Sequence, residues 1–164
     1  MKFKEWRDSI FEALLIILLL FLFCWPVRIN GISMENSLHA KDTIAISRVL
    51  KYTGAIKKGD IVVFSETIEG DKKHLIKRVI ATEGDTVRIK DGNVYVNSEM
   101  LSEDYAVGST MGNFRVVVPE DHYFVMGDNR EHSIDSRQLG TIAKKDIVGK
   151  AFLKILPIKD IQLY

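Results

Sequence analysis

Val87-Arg88-Ile89-Lys90-Asp91-Gly92-Asn93-Val94-Tyr95-Val96-Asn97 decides the fold class of this 164-residue chain. Apolar and polar residues alternate on both sides of Asp91-Gly92-Asn93, and alternate residues of a strand face opposite sides of a sheet. An Asp-Gly pair between two such runs is the strongest short-range signal of a β-hairpin. The same grammar extends outward. Ile61-Val62-Val63-Phe64 is a continuous apolar run, expected of a strand covered on both faces. Residues 74–82 read H-L-I-K-R-V-I-A-T, a strand whose adjacent Lys77 and Arg78 point to opposite faces. Residues 43–50, 114–118, 122–126, 139–143 and 147–155 add further strands, with Gly149 marking a bend or bulge. Residues 57–60 and Gly84-Asp85 are turns, residues 66–73 a charged loop, residues 98–113 a long polar loop, and the tail from Pro157 is expected to be loosely held. This pattern predicts a mainly β chain rather than βαβ units.

The N-terminal segment reads differently. Residues 1–9 are polar, and residues 10–27 are apolar apart from Glu12, with Trp6 and Trp25 bracketing the run. About 20 apolar residues span a bilayer. The expectation is therefore a single short transmembrane helix over 10–27, helped by snorkelling of Arg7 and Arg28 and ended with the help of Pro26. No small-x-small site follows it, so it does not read as a cleavable signal peptide. Lys2, Lys4 and Arg7 place a cytoplasmic tail at 1–9, leaving 28–164 as an extracytoplasmic all-β catalytic domain of a single-pass cell-membrane protein.

Composition removes several function classes. With 23 basic and 22 acidic residues the formal charge is +1, which suggests no polyanionic partner, and the basic residues are not interleaved with aromatics as nucleic-acid binding would want. The one cysteine, Cys24, forms no disulfide framework. His39, His74, His122 and His132 make no metal-ligand spacing, and no phosphate loop or dinucleotide fingerprint is present, so neither metal nor cofactor is expected.

Chemistry concentrates in residues 127–137, G-D-N-R-E-H-S-I-D-S-R, where charges of both signs mix with hydroxyls and suit a self-satisfying network around a site. Gly127-Asp128-Asn129 resembles a fragment of a two-metal phosphoesterase, but the further ligands are missing. Asp128 or Asp135 could orient His132 in a triad; the alternative is a serine paired with a lysine. A lysine serves as base only when neutral, and at its ordinary pKa roughly one in two thousand is neutral at pH 7. Burial among apolar groups lowers that pKa, and Lys77, between Ile76 and Val79-Ile80, is best placed for it. Ser33 and Ser37 lie in R-I-N-G-I-S-M-E-N-S-L, residues 28–38, where Gly31 permits an unusual backbone angle or a close approach.

Four segments together resemble the bacterial type I signal peptidases, in their minimal Gram-positive-like form: residues 31–38, 59–64, 74–79 with Gly84-Asp85, and 127–137. The resemblance implies a membrane-bound serine endopeptidase that removes signal peptides after small residues of an Ala-x-Ala type. It implies Ser33 as nucleophile and Lys77 as general base. The Ser33 N–H would donate to the oxyanion, with Gly31 where some members carry a second hydroxyl donor. Ser133 would orient the Lys77 amine. Met34, Leu38 and Ile76 would line the substrate pockets. Asp135 and Arg137 would form a structural ion pair, with Asp128 and Arg130 bracing the same region. The partners implied are preprotein signal peptides, the lipid bilayer and the secretion machinery. One departure is Asn36, where the family usually has proline; it is expected to loosen the turn after Ser33. It suggests a second reading, a divergent or non-catalytic signal-peptidase-like protein that assists assembly or presentation of exported surface proteins. A Lys77 amine far from Ser33 would favour that reading.

Overall fold

A computed structural model describes residues 2–23, 25–51, 56–157 and 160–164. Helix α1 (Lys2–Phe23) leads into strand β1 (Trp25–Arg28). There follow β2 (Thr43–Ser47), β3 (Ile61–Ile68), β4 (Asp71–Thr82), β5 (Thr86–Lys90), β6 (Asn93–Val96), β7 (Glu99–Met100), β8 (Phe114–Val117) and β9 (His122–Met126). A short helix, α2 (Ser136–Leu139), precedes β10 (Ile142–Ala143), β11 (Ile147–Leu156) and β12 (Gln162–Leu163).

The strands form two antiparallel sheets. The larger runs β1-β2-β11-β3-β4-β9-β10, with β12 also paired to β11; the smaller runs β7-β6-β5-β8. The β5–β6 hairpin closes on Lys90 opposite Asn93, with Asp91 and Gly92 both at positive φ, 51° and 79°. The apolar run of β3 is explained by its two faces. Ile61 and Val63 enter a core with Ile29, Met34, Leu38, Ile44, Ile46 and Ala151, while Val62 and Phe64 enter another with Val79, Tyr123, Val125 and Ile147. The smaller sheet buries Val87, Ile89, Val94 and Val96 against Ile80, Phe124 and Met126 of the larger one.

Several expectations are corrected. Residues 66–73 are not a loop: β3 and β4 continue into each other, Ile68 pairing with Asp71, through a two-residue turn at Glu69 and Gly70 with φ of 57° and 85°. Residues 139–143 are not one strand. Asp135 caps a helical turn there, accepting the N–H of Arg137 while Gln138 accepts the N–H of Asp135. The tail is held by β12 and by Tyr164, whose hydroxyl donates to the Ser37 carbonyl at 3.3 Å. Gly149 does mark a bulge, with a register shift between Ile147 and Gly149.

The membrane expectation is overturned. Among the described residues, no helix is long and apolar enough to cross a membrane. The helix takes in the polar start, with Lys4, Arg7, Asp8 and Glu12 on it, and stops at Phe23. From Ile10 its apolar stretch rises only roughly 21 Å against a hydrocarbon core of roughly 30 Å. Residues 25–27, assigned to the anchor, instead pair with β2, Trp25 opposite Ile46 and Val27 opposite Ile44. Pro26 fits there because β1 is the edge of its sheet. The single-pass topology, with its cytoplasmic tail and extracytoplasmic domain, falls with the anchor. Cys24 lies outside the described residues.

Candidate active site

The turn after β1 and the middle of β4 build the centre. Residues 32–38 wind tightly, with the N–H of Glu35 donating to Ile32 O and those of Ser37 and Leu38 to Met34 O. Met34 and Leu38 face inward and are fully buried, so the core pins the turn from beneath. Ser33 stays half-buried at the upper end. Lys77 leaves β4 with 2% of its surface exposed, and its Nζ lies 2.7 Å from Ser33 Oγ and 2.9 Å from the Ile76 carbonyl. Burial pushes the amine pKa from 10.5 down to about 8; Asp135 and Asp128 pull it up and Arg137 presses it down. Near neutrality the neutral fraction is thus raised by orders of magnitude, and a neutral amine at this distance can accept the Ser33 hydroxyl proton.

Residues 127–137 form the back wall. The Asn129 N–H donates to the Ser33 carbonyl at 3.0 Å. Asp135, fully buried, accepts the Gly127 N–H at 2.9 Å, the Ser133 hydroxyl at 2.7 Å, and Arg137 at 2.8 and 2.9 Å. Burial pushes the Asp135 carboxyl up, but the Arg137, Gly127 and Ser133 hydrogen bonds outweigh it and hold the pKa below the usual carboxylate range. Ser133 is therefore brought beside the dyad with its hydroxyl donated to Asp135, and the Lys77 amine donates to Ser33 and Ile76. Asp128 pairs with Arg78, at 2.9 and 2.7 Å. Arg130 reaches into the 98–113 loop, donating to Glu103 and Thr110, each at 2.8 Å.

The other expected residues differ in burial and surroundings. Met34 and Leu38 share a core cluster with Ile76, but only Ile76 keeps solvent exposure. Gly31 needs neither an unusual angle nor a close approach: its φ is not positive, and a Cβ there would meet nothing within 4 Å. The glycine that matters is Gly127, where a Cβ would lie 2.2 Å from Ser133 Oγ and 2.5 Å from the Ser33 carbonyl oxygen. His132 is exposed, and the described residues hold no cluster of His, Cys, Asp and Glu fit for a metal. A cleft of about 620 Å³ elsewhere, lined by Lys51, Asp121, His122 and Lys144 among others, includes none of the residues around Ser33. Sequence reasoning missed the packing role of Gly127 and the parts of Glu103, Thr110 and Tyr105, since nothing in a polar loop announces its partners.

A serine hydroxyl held against a buried lysine in a mainly β protein is an arrangement that suits serine hydrolase chemistry without a histidine. Comparison with known proteins narrows this. The model of the signal peptidase, peptidase S26, family matches residues 3–156. The signal peptidase I of Bacillus licheniformis is 39% identical over 96% of this chain and 91% of its own. The signal peptidase I T of Bacillus subtilis is 36% identical over 98% of this chain and 89% of its own. A crystal structure of a signal peptidase I from Enterococcus faecalis aligns with a TM-score of 0.50 at 31% identity, covering 57% of this chain and 94% of that one. The chain belongs to the signal peptidase family.

Proposed function

We propose that this chain is a signal peptidase I, a serine endopeptidase that cleaves signal peptides from preproteins, with Ser33 as nucleophile, Lys77 as general base and the activity carried by residues 28–164. The observation that carries the reading is the 2.7 Å contact between Ser33 Oγ and the Nζ of a buried Lys77. Neutral Lys77 takes the hydroxyl proton as Ser33 Oγ bonds to the scissile carbonyl carbon. The carbonyl electron pair moves to oxygen, where the Ser33 N–H donates to it. As the intermediate collapses, the C–N bond breaks and the Lys77 ammonium gives its proton to the leaving amine. Water then attacks the acyl-enzyme carbonyl as Lys77 takes one of its protons; the ester C–O bond to Ser33 breaks, the Lys77 ammonium returns the proton to Ser33 Oγ, and the acid product leaves. Ser133 and Arg137 act through Asp135, which presents its carboxylate beside the amine without touching substrate.

Ile76, adjacent to Lys77 and partly buried against the cluster that holds Met34 and Leu38, supports a shallow pocket that favours small side chains at the cut. A lipid-bilayer partner is supported by Ile32 and Ile134, which flank Ser33 and Ser133 and are 46% and 51% exposed. The reading is tested by incubating wild type and Ser33→Ala with a preprotein and mapping the products by mass. A single cut after a small residue, present only with wild type, is expected; cutting after large residues, or equal cutting by both proteins, contradicts it.

A further inference from the structure

The Ser33 turn enters an uncommon backbone conformation at one residue, and that residue is tied to a loop distant in sequence. Asn36 has φ of 93°, in the region that side chains other than glycine, asparagine and aspartate rarely adopt and that a proline ring excludes. Its side-chain amide donates to the Tyr105 carbonyl at 3.0 Å. Instead of loosening the turn, Asn36 joins it to the 98–113 loop. The ring of Tyr105 carries the guanidinium of Arg78 at 4.1 Å. Arg78 returns to the same turn, donating to Ser37 Oγ at 3.0 Å. Further along the loop, Val107 N–H donates to Asp128 O and Arg130 N–H to Val107 O, each at 2.9 Å. Between these two sits Asn129, whose N–H holds the Ser33 carbonyl. Loop and turn are thus joined at both ends.

We infer that Asn36 is a positioning residue for the reaction: its bond to the Tyr105 carbonyl holds the outer edge of the turn so that Ser33 Oγ stays aimed at Lys77. This rests on the reading of Ser33 as nucleophile and Lys77 as base. The inner side of the turn is fixed by buried Met34 and Leu38, but Asn36 is on its exposed side, where the side-chain bond supplies a tertiary tie. Misplacement of a reacting group by about 1 Å can cost about 100-fold in rate, so a modest loosening is visible in kcat.

Asn36→Gly and Asn36→Asp separate the tie from the backbone angle. Both accept positive φ, and neither can donate from this position to a carbonyl, since glycine has no side chain and a carboxylate only accepts. Both variants are expected to cleave preprotein with kcat lowered about tenfold and KM within about twofold. Acylation of Ser33 by a small serine-directed electrophile, which needs no signal-peptide contacts, is expected to slow in parallel. Wild-type kcat in either variant, or a raised KM with kcat unchanged, overturns the inference. So does a kcat loss in Asn36→Gly that is matched by loss of folded protein in circular dichroism. Failure of the dyad reading shows separately, as undiminished cleavage by Ser33→Ala.

Discussion

Ser33→Ala and Lys77→Met are each expected to lower kcat/KM for preprotein cleavage by on the order of 10⁴-fold or more, measured by initial rates on a purified substrate. The two groups act as a unit across 2.7 Å, so removing either removes the proton-coupled attack and the double variant loses little more. Lys77→Met carries a second signature, one that reports the burial of the charge. The folded pKa of about 8 lies below the ordinary 10.5 because burial disfavours the charge. Between these values the unfolded chain binds more protons, so stability rises with pH through that window, and below it the folded state bears the full cost of a buried ammonium. The shift corresponds to about 3 kcal/mol at neutral pH, partly offset by the hydrogen bonds Lys77 makes. Lys77→Met is therefore expected to be inactive yet more stable at pH 7, by on the order of 1–2 kcal/mol in urea unfolding, with the gain vanishing near pH 11. A destabilised variant at pH 7 would show that the lysine carries no such cost.

Gly127→Ala is expected to lower activity at least 100-fold, although the residue carries no functional group. The added carbon would lie 2.2 Å from Ser133 Oγ and 2.5 Å from the Ser33 carbonyl oxygen, and one of these neighbours is backbone. Relief requires the Ser33 turn to move away from β9 and Lys77, or Ser133 to give up Asp135. Gly31→Ala provides the contrast. It sits two residues before Ser33, but its added carbon meets nothing and its backbone angle suits any residue, so its activity is expected to stay within about threefold of wild type. Initial rates of both variants, with circular dichroism to confirm folding, check the pair. Equal activities in the two would remove Gly127 from the site.

The sequence was most legible where local rules govern. The Asp91-Gly92 turn fixes the register of its hairpin, and the run 61–64 reads as a doubly covered strand because its residues alternate between two cores. It was misleading where a partner decides. Apolar length made residues 10–27 look like one helix, yet Trp25–Arg28 leaves it because β2 offers an edge to pair with. Residues 66–73 looked like a loop because their charges mask a two-residue turn between long strands. At the site, the side chains that carry chemistry were readable: Lys77 among apolar neighbours, and the charge-dense stretch 127–137. Their pairings were not. Nothing local says that Asp128 takes Arg78 and leaves Arg130 to Glu103, since those contacts bridge 50 and 27 residues. The plain glycine at 127 was invisible for the same reason: its importance lies in what packs against it.

The central claim is that burial makes Lys77 a base near neutral pH, and the pH dependence of kcat/KM tests it most directly because that profile reports the essential groups of the free enzyme. The rate is expected to climb about tenfold per unit at low pH and to level off above an apparent pKa of about 8, the value burial gives the Lys77 amine. An ascending limb centred near the ordinary lysine value of about 10.4, or a maximum well below neutrality, would contradict it.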